Sequence, residues 1–401
     1  MQAAPPLPNL PVPDMAYLRR VLLEMLAIPC PTGYTDGIVR YVAGQLDTIG
    51  VPYELTRRGT IRGTLKGRRS SPDRAIGAHL DTIGAMVRNI RADGRLELAP
   101  VGTWSARFAE GSRVSILGDR GHWRGCVLPL KASGHAFNNA VDELPIGWDY
   151  VEVRIDAHTR SRTETEALGI AVGDFVAFDP MPEFTESGYI CSRHLDNKAG
   201  AAALLAALQA IVSSGQALAI DCHPVFTITE ETGSGAAAAL QLDVAEFVSV
   251  DIAPAAAGQA TSEYAVSIGM QDSGGPYDYH LSRHLLALAE RFDLRMVRDV
   301  FRFYHSDAQS AVMAGRDTRT ALIAFGADAT HGYERTHEAS LFHLARLLCA
   351  YVLSAPVFAS DGDEEIPLQN FEHQLADRAL SANDTVLPTP AEVLAGNGNA
   401  S

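Results

Sequence analysis

The chain has 401 residues, 47% hydrophobic and 20% charged, which supplies about two or three domains with cores of their own and excludes disorder as the main state. Its 33 basic and 48 acidic side chains leave a formal charge of −15. Such a surface repels phosphate backbones, so no nucleic-acid partner is expected. The five cysteines, at 30, 126, 191, 222 and 349, form no C-x-x-C pair, which argues against both a disulfide framework and a thiolate metal site.

Residues 1–13 are Pro-rich and without period; they read as a flexible tail. With neither a basic n-region nor an apolar h-region they do not form a secretory signal, and a cytoplasmic chain is expected. Asp14 predicts the cap of a helix whose face carries Met15, Leu18, Val21, Leu22, Met25 and Leu26. Ile38, Val42 and Leu46 mark a second helix that stops at Gly50. Strand-like runs follow at 51–55 and 62–65, and the apolar run 75–79 ends in polar groups. Together 14–83 read as the first part of a catalytic domain. From 86 to 179 the pattern changes to short strands at 86–90, 96–98, 114–117, 125–130, 151–155 and 175–178, so 84–186 is predicted as a β-rich inserted domain.

The run 199–212 is apolar on nearly every side and predicts a buried helix. Its length of about 14 falls short of the roughly 20 residues a membrane span needs, so no membrane is expected. Strands at 225–229, 247–250 and 322–325 then alternate with helices at 235–241, 280–291 and 337–353. This alternation implies an α/β fold with a mostly parallel sheet flanked by helices, and 187–355 completes the catalytic domain. Residues 356–401 hold eight acids and one base and read as a second flexible tail.

Ligands of such sheets sit where strand ends and helix N-termini converge. His79 and Asp81 follow one strand, Asp196 precedes the buried helix, Glu230 and Glu231 follow a second strand, Asp251 a third, and His331 lies beyond the last. Imidazoles and carboxylates gathered at one sheet edge would make an acidic pocket in need of cations, and a pair of divalent ions answers that need. The H-x-D pattern occurs three times (His79/Asp81, His194/Asp196, His305/Asp307), so by itself it identifies no ligand. The pair Glu230-Glu231 is more telling. Adjacent residues leaving a strand point apart, so one can bind metal while the other faces a water. A rival pattern, Gly233-Ser234-Gly235-Ala236-Ala237-Ala238 with Asp251 at the next strand end, has the form of a dinucleotide fingerprint and would suit an oxidoreductase. Against it, Glu230 and Glu231 would repel a pyrophosphate.

Gly77-Ala78-His79-Leu80-Asp81-Thr82-Ile83-Gly84-Ala85-Met86-Val87 resembles the first metal motif of the tetrahedral aminopeptidases, the glutamyl and deblocking aminopeptidase family. Ser192-Arg193-His194-Leu195-Asp196-Asn197-Lys198-Ala199-Gly200 resembles the second, Thr229-Glu230-Glu231-Thr232-Gly233 the third and Val250-Asp251-Ile252-Ala253-Pro254 the fourth. Ser306-Asp307-Ala308 with Ala329-Thr330-His331-Gly332-Tyr333-Glu334 resembles the last. The resemblance implies a metallo-aminopeptidase with two divalent ions, zinc or cobalt first and manganese next. Asp196 would bridge them, His79 and Asp251 would complete one site, and Glu231 and His331 the other. Glu230 would be the general base, and Asp81 would orient His79. It also implies a peptide or small amide as substrate and a homo-oligomer, commonly a dodecamer, assembled through the β insert. A branch associated with the osmoprotectant N-acetylglutaminylglutamine amide is the most similar.

The related dipeptidases and deacylases with a zinc pair, which would act on N-acylated metabolites, are the alternative; the 117 positions between His79 and Asp196 speak for the aminopeptidases. A non-catalytic binding protein is disfavoured because every implied ligand and the base are present. Thr82, Asn197, Tyr304 and His305 depart from the family pattern and are expected to line the pocket.

Overall fold

Asp14 caps the first helix, Met15–Leu26, its Oδ1 accepting from the amides of Ala16 and Tyr17 at 2.9 and 3.1 Å. The second helix, Asp36–Ile49, stops at Gly50, whose φ of 85° is open to a residue without Cβ. The computed structural model describes residues 9–240 and 243–362, with Leu368 and Phe371. The described residues up to 362 fall in one compact unit, Met1–Asp363. Residues 9–13, expected in a tail, are tied to this unit, since Gln216 and Arg346 donate to the carbonyls of Asn9, Leu10 and Pro11. Likewise Arg319 holds Asp361 at 2.7 Å, so 356–362 join the body. The rest of both expected tails, Leu368 and Phe371 apart, lies outside the described residues.

Four parallel strands form the middle of a nine-stranded sheet, in the order Leu218–Thr227, Gly67–His79, Val244–Pro254 and Arg319–Ala327. Antiparallel neighbours extend it, Ile61–Gly63 with Tyr53–Leu55 on one side and Val266–Asp272 on the other. The central strands outrun their apolar signals. Gly67–His79 begins with exposed Arg68, Arg69, Ser70 and Ser71 and is buried only in its second half. Val266–Asp272 escapes a period-2 reading because Ser267 and Gly269 are buried along with Val266 and Ile268.

The helix Leu195–Ser214 packs against Met15–Leu26 and Glu338–Leu353. It has 20 residues, longer than the predicted run, and is apolar enough to cross a membrane by length and composition, but 83% of its apolar window is buried inside the fold. A run of alanines at 199, 201–203 and 206 has no exposed surface, so neighbours approach its backbone closely. The helix predicted at 235–241 is instead a 3-10 turn, Ala236–Ala238, with 241 and 242 outside the described residues. The Asp307 carboxylate accepts the Ala236 amide at 2.8 Å and backs onto Gly235 so closely that a Cβ there would collide. A turn of three residues offers no helix N-terminus for a pyrophosphate, and the dinucleotide reading loses its structural context.

The six strands predicted in the insert all form, as Gly84–Ile90, Leu96–Val101, Arg113–Gly118, Gly121–Pro129, Val151–Ile155 and Phe175–Phe178. They close an antiparallel barrel in which the first and last strands each pair with two others. Closure leaves no strand edge unpaired. Val114, Ile116, Val127 and Val153 fill the barrel interior, and Trp104 packs edge-on against Trp148 and Phe178 at 4.8 Å each. The tryptophans are packing residues.

Candidate metal centre

The parallel strands deliver the site residues at their C-terminal ends. His79 closes its strand beside Thr227, and Asp251 lies two residues beyond Ser249, the partner of Gly77 on the adjacent strand. Glu230 and Glu231 start the turn that follows Thr227, Glu230–Thr232. Asp196 stands at the head of the long helix, where its backbone leaves helical geometry (φ −71°, ψ 108°). His331 follows the strand Arg319–Ala327 in a loop where both Ala329 and His331 take positive φ, 58° and 62°. Left-handed backbone costs a non-glycine residue on the order of 1–3 kcal/mol and gathers at functional sites.

The structure brings all seven expected residues together. His79 Nε2 lies 3.0 Å from Asp196 Oδ1, 3.5 Å from Asp251 Oδ1 and 3.8 Å from Glu230 Oε2. On the other side His331 Nε2 is 3.4 Å from Asp196 Oδ2 and 3.4 Å from Glu231 Oε2. Asp196 thus turns one oxygen to each imidazole. Both rings are fixed from behind, His79 Nδ1 on the Asp81 carbonyl at 2.9 Å and His331 Nδ1 on the Thr103 carbonyl at 3.0 Å. With Nδ1–H donating outwards, each Nε2 is turned to the centre.

Asp81 acts differently from the expectation. Its carboxylate is 3.7 Å from His79 Nδ1, beyond hydrogen-bond reach, and its backbone carbonyl orients the ring instead. The carboxylate is occupied elsewhere, accepting from Thr32 Oγ1 at 2.7 Å and from the amides of Glu230 and Glu231 at 3.2 and 3.3 Å. Asp81 therefore sets the turn that presents both glutamates. Glu231 is fixed again by the Ile83 amide on its Oε1, 3.1 Å away. Glu334, quoted in the last motif without a role, accepts the Asp196 amide and the His331 amide at 3.0 Å each. One buried carboxylate so holds two site residues from distant parts of the chain, a juxtaposition that no spacing shows.

Four carboxylates meet here against two imidazoles. Burial lifts the acids of Glu230, Glu231 and Asp251 above their ordinary values. Burial alone would lower both histidines, but Asp196 and Asp251 raise His79, and Asp196 and Glu231 raise His331 to about 12. The cluster is short of positive charge, as a cation site is before it is loaded. Its donor atoms converge in two overlapping groups, His79, Asp196, Glu231 and His79, Glu230, Asp251, each within 4.8 Å. Mixed imidazole and carboxylate donors fit zinc, cobalt or manganese.

A cavity of about 500 Å3 opens over these residues. Tyr304 and His305 line it, as expected of them. Asn197 and Thr82 do not: Asn197 Nδ2 donates to the Val250 carbonyl at 2.7 Å, and Thr82 borders a separate cavity of about 160 Å3. Of the other H-x-D members, His194 gives its Nε2 to the Phe178 carbonyl, and Asp307 accepts from Thr227 and Ala236.

Residues 59–347 match the M42 glutamyl aminopeptidases. The chain belongs to that family. YhfE of Bacillus subtilis strain 168, named a "Putative aminopeptidase", is 39% identical over 338 residues, 84% of this chain and 97% of its own. In fold the chain is similar to aminopeptidase APDkam598 of Desulfurococcus kamchatkensis, with a TM-score of 0.74 at 23% identity over 85% of this chain and 95% of that one. It is equally similar to the TET1 peptidase of Pyrococcus horikoshii, which can assemble into a tetrahedron or a large octahedral shell, with a TM-score of 0.74 at 21% identity over 84% and 100%. M42 membership makes this chain a peptide hydrolase of the aminopeptidase type.

Proposed function

We propose that this M42 peptidase is a two-metal aminopeptidase that removes N-terminal residues from peptides or from a small peptide amide. One observation carries the reading: Asp196 presents opposite oxygens to His79 and His331, so a single carboxylate joins two sets of donors. His79, Asp196 and Asp251 would hold one divalent ion, and Asp196, Glu231 and His331 the other. Ions held there supply Lewis acidity, polarising a carbonyl and acidifying water.

Glu230 is left over from both sets, and its buried carboxylate reaches the same centre. It takes the proton of the attacking water and returns it to the leaving amine nitrogen. Asp81 and Glu334 keep the partners in register through backbone amides. The acidic wall also suits a substrate with a free, positively charged amino end. Likeness to the TET1 peptidase supports a homo-oligomer built from this chain.

The test is hydrolysis of unblocked and N-acetylated aminoacyl amides and dipeptides by protein stripped of metal and reloaded with zinc, cobalt or manganese. Restored cleavage of free-amine substrates is expected. Cleavage of acetylated substrates alone would move the chain to the deacylases.

A further inference from the structure

Tyrosine hydroxyls that are buried in this fold have partners. Tyr17 donates to Gln45, Tyr277 to Asp272 and Tyr351 to Glu246, at 3.0, 2.6 and 2.9 Å. Tyr304 does not. Its Oη has almost no solvent contact and no hydrogen-bond partner among the described residues, and of the groups around the 500 Å3 cavity it is the one side chain with such an orphaned atom. Leaving a buried hydroxyl unpaired is unfavourable, and is tolerated where a partner arrives from outside.

The ring is not free to look for another partner. It packs edge-on against Phe301 at 5.3 Å and against the buried apolar cluster to which Phe301 belongs. Its backbone carbonyl accepts the Ser273 amide at 2.9 Å. Just beyond it, Ser306 is pinned between Tyr277 Oη at 3.1 Å and Asp272. The ring is therefore held in place in the wall of the cavity that the four carboxylates also line.

What arrives can be argued from chemistry. The cavity already offers acceptors in Asp196, Glu230, Glu231 and Asp251, which the metals and the attacking water take up in the proposed reading. A neutral hydroxyl among acceptors is a donor. The acceptor that a peptide substrate brings into this space is its scissile carbonyl oxygen.

We propose that Tyr304 is a catalytic residue whose hydroxyl donates a hydrogen bond to the scissile carbonyl oxygen as negative charge develops there. This rests on the aminopeptidase reading. The water oxygen bonds to the carbonyl carbon, the carbon–nitrogen bond breaks, and Glu230 carries the proton from water to the departing nitrogen. Tyr304 keeps its own proton throughout. Removing one such donor from a preorganised site costs about 100- to 1000-fold in kcat, and less where other groups share the oxygen.

The experiment compares wild-type protein with Tyr304→Phe, which keeps the ring and loses the hydroxyl. kcat should fall roughly 10- to 100-fold, with KM for an aminoacyl amide within about twofold and metal content unchanged by elemental analysis. Binding of a phosphinic peptide, which mimics the tetrahedral oxygen, should weaken by a similar factor, while binding of the product amino acid stays the same. Unchanged kcat and phosphinate affinity in Tyr304→Phe would overturn the role of the tyrosine alone. A loss of metal in the variant, matching its loss of rate, would assign Tyr304 to packing and overturn the proposal too. A wild-type protein without metal-dependent turnover would overturn the peptidase reading, and this inference with it.

Discussion

Glu230 and Glu334 divide two tasks that one carboxylate could not perform together. The Glu230 carboxylate is 3.8 Å from His79 Nε2 and, among the described residues, accepts no hydrogen bond from a backbone amide, which suits the proton-carrying role proposed for it. Glu230→Gln is expected to lower kcat by about 100- to 10000-fold, the range of a general base, while elemental analysis finds the same metal content. Near-normal turnover would remove that role. Glu334 spends both oxygens on the amides of Asp196 and His331. Glu334→Ala should weaken metal binding by about 10- to 100-fold in competition with a chromophoric chelator, since it frees Asp196 and His331 at once. At this scale His79, Glu230, Glu231, Asp251 and His331 were legible because strand ends mark them. The work of Glu334 and the free hydroxyl of Tyr304 were not, because hydrogen bonds between residues 138 positions apart, or their lack, leave no mark on spacing.

Among the elements, the long helix Leu195–Ser214 is the rod on which the catalytic layers pack, and its buried face has Leu204 with no exposed surface. Leu204→Ala should cost about 2–5 kcal/mol of unfolding free energy in urea, because alanines on either side leave little that can move into the gap. The helix Tyr279–Arg291 carries a pH-sensitive seam. His284 Nε2 meets Ser354 Oγ at 2.9 Å beyond the end of Glu338–Leu353, and burial, helped by Arg74, lowers its pKa to about 4. A depressed histidine is neutral in the fold while the unfolded chain takes up a proton below about 6.5. Its contribution is thus complete above pH 6.5 and is lost as pH falls towards 4, by up to about 3 kcal/mol. Urea midpoints at pH 7 and pH 5 should differ less in His284→Gln than in the wild type; equal differences would show that His284 is not the group responsible. Helix positions were well marked by capping and periodicity, as Asp14 and Gly50 illustrate. The 3-10 turn at Ala236–Ala238 was not, because the carboxylate that closes on Gly235 and Ala236 belongs to Asp307, 71 residues beyond Ala236.

At the level of the whole molecule, the barrel contributes chemistry as well as shape, since the loop after its second strand supplies the Thr103 carbonyl that orients His331. If the chain assembles as the TET1 peptidase does, sedimentation will give a species many times the monomer mass; a monomer would cost the assembly reading but leave the metal centre intact. The alternation of apolar runs by itself determined the α/β sheet and the six short strands of the insert, because burying one face sets a local period. The motifs determined which residues meet. Only the tertiary structure decided how they meet: that Asp81 steadies His79 by its carbonyl and the glutamates by its carboxylate, that Asn197 spends its amide on the Val250 carbonyl, and that Tyr304 lines the cavity with its hydroxyl unpaired. The physical reason is that local patterns specify which groups are buried, whereas the partners of a buried polar group are chosen by whatever backbone the rest of the chain brings within 3 Å.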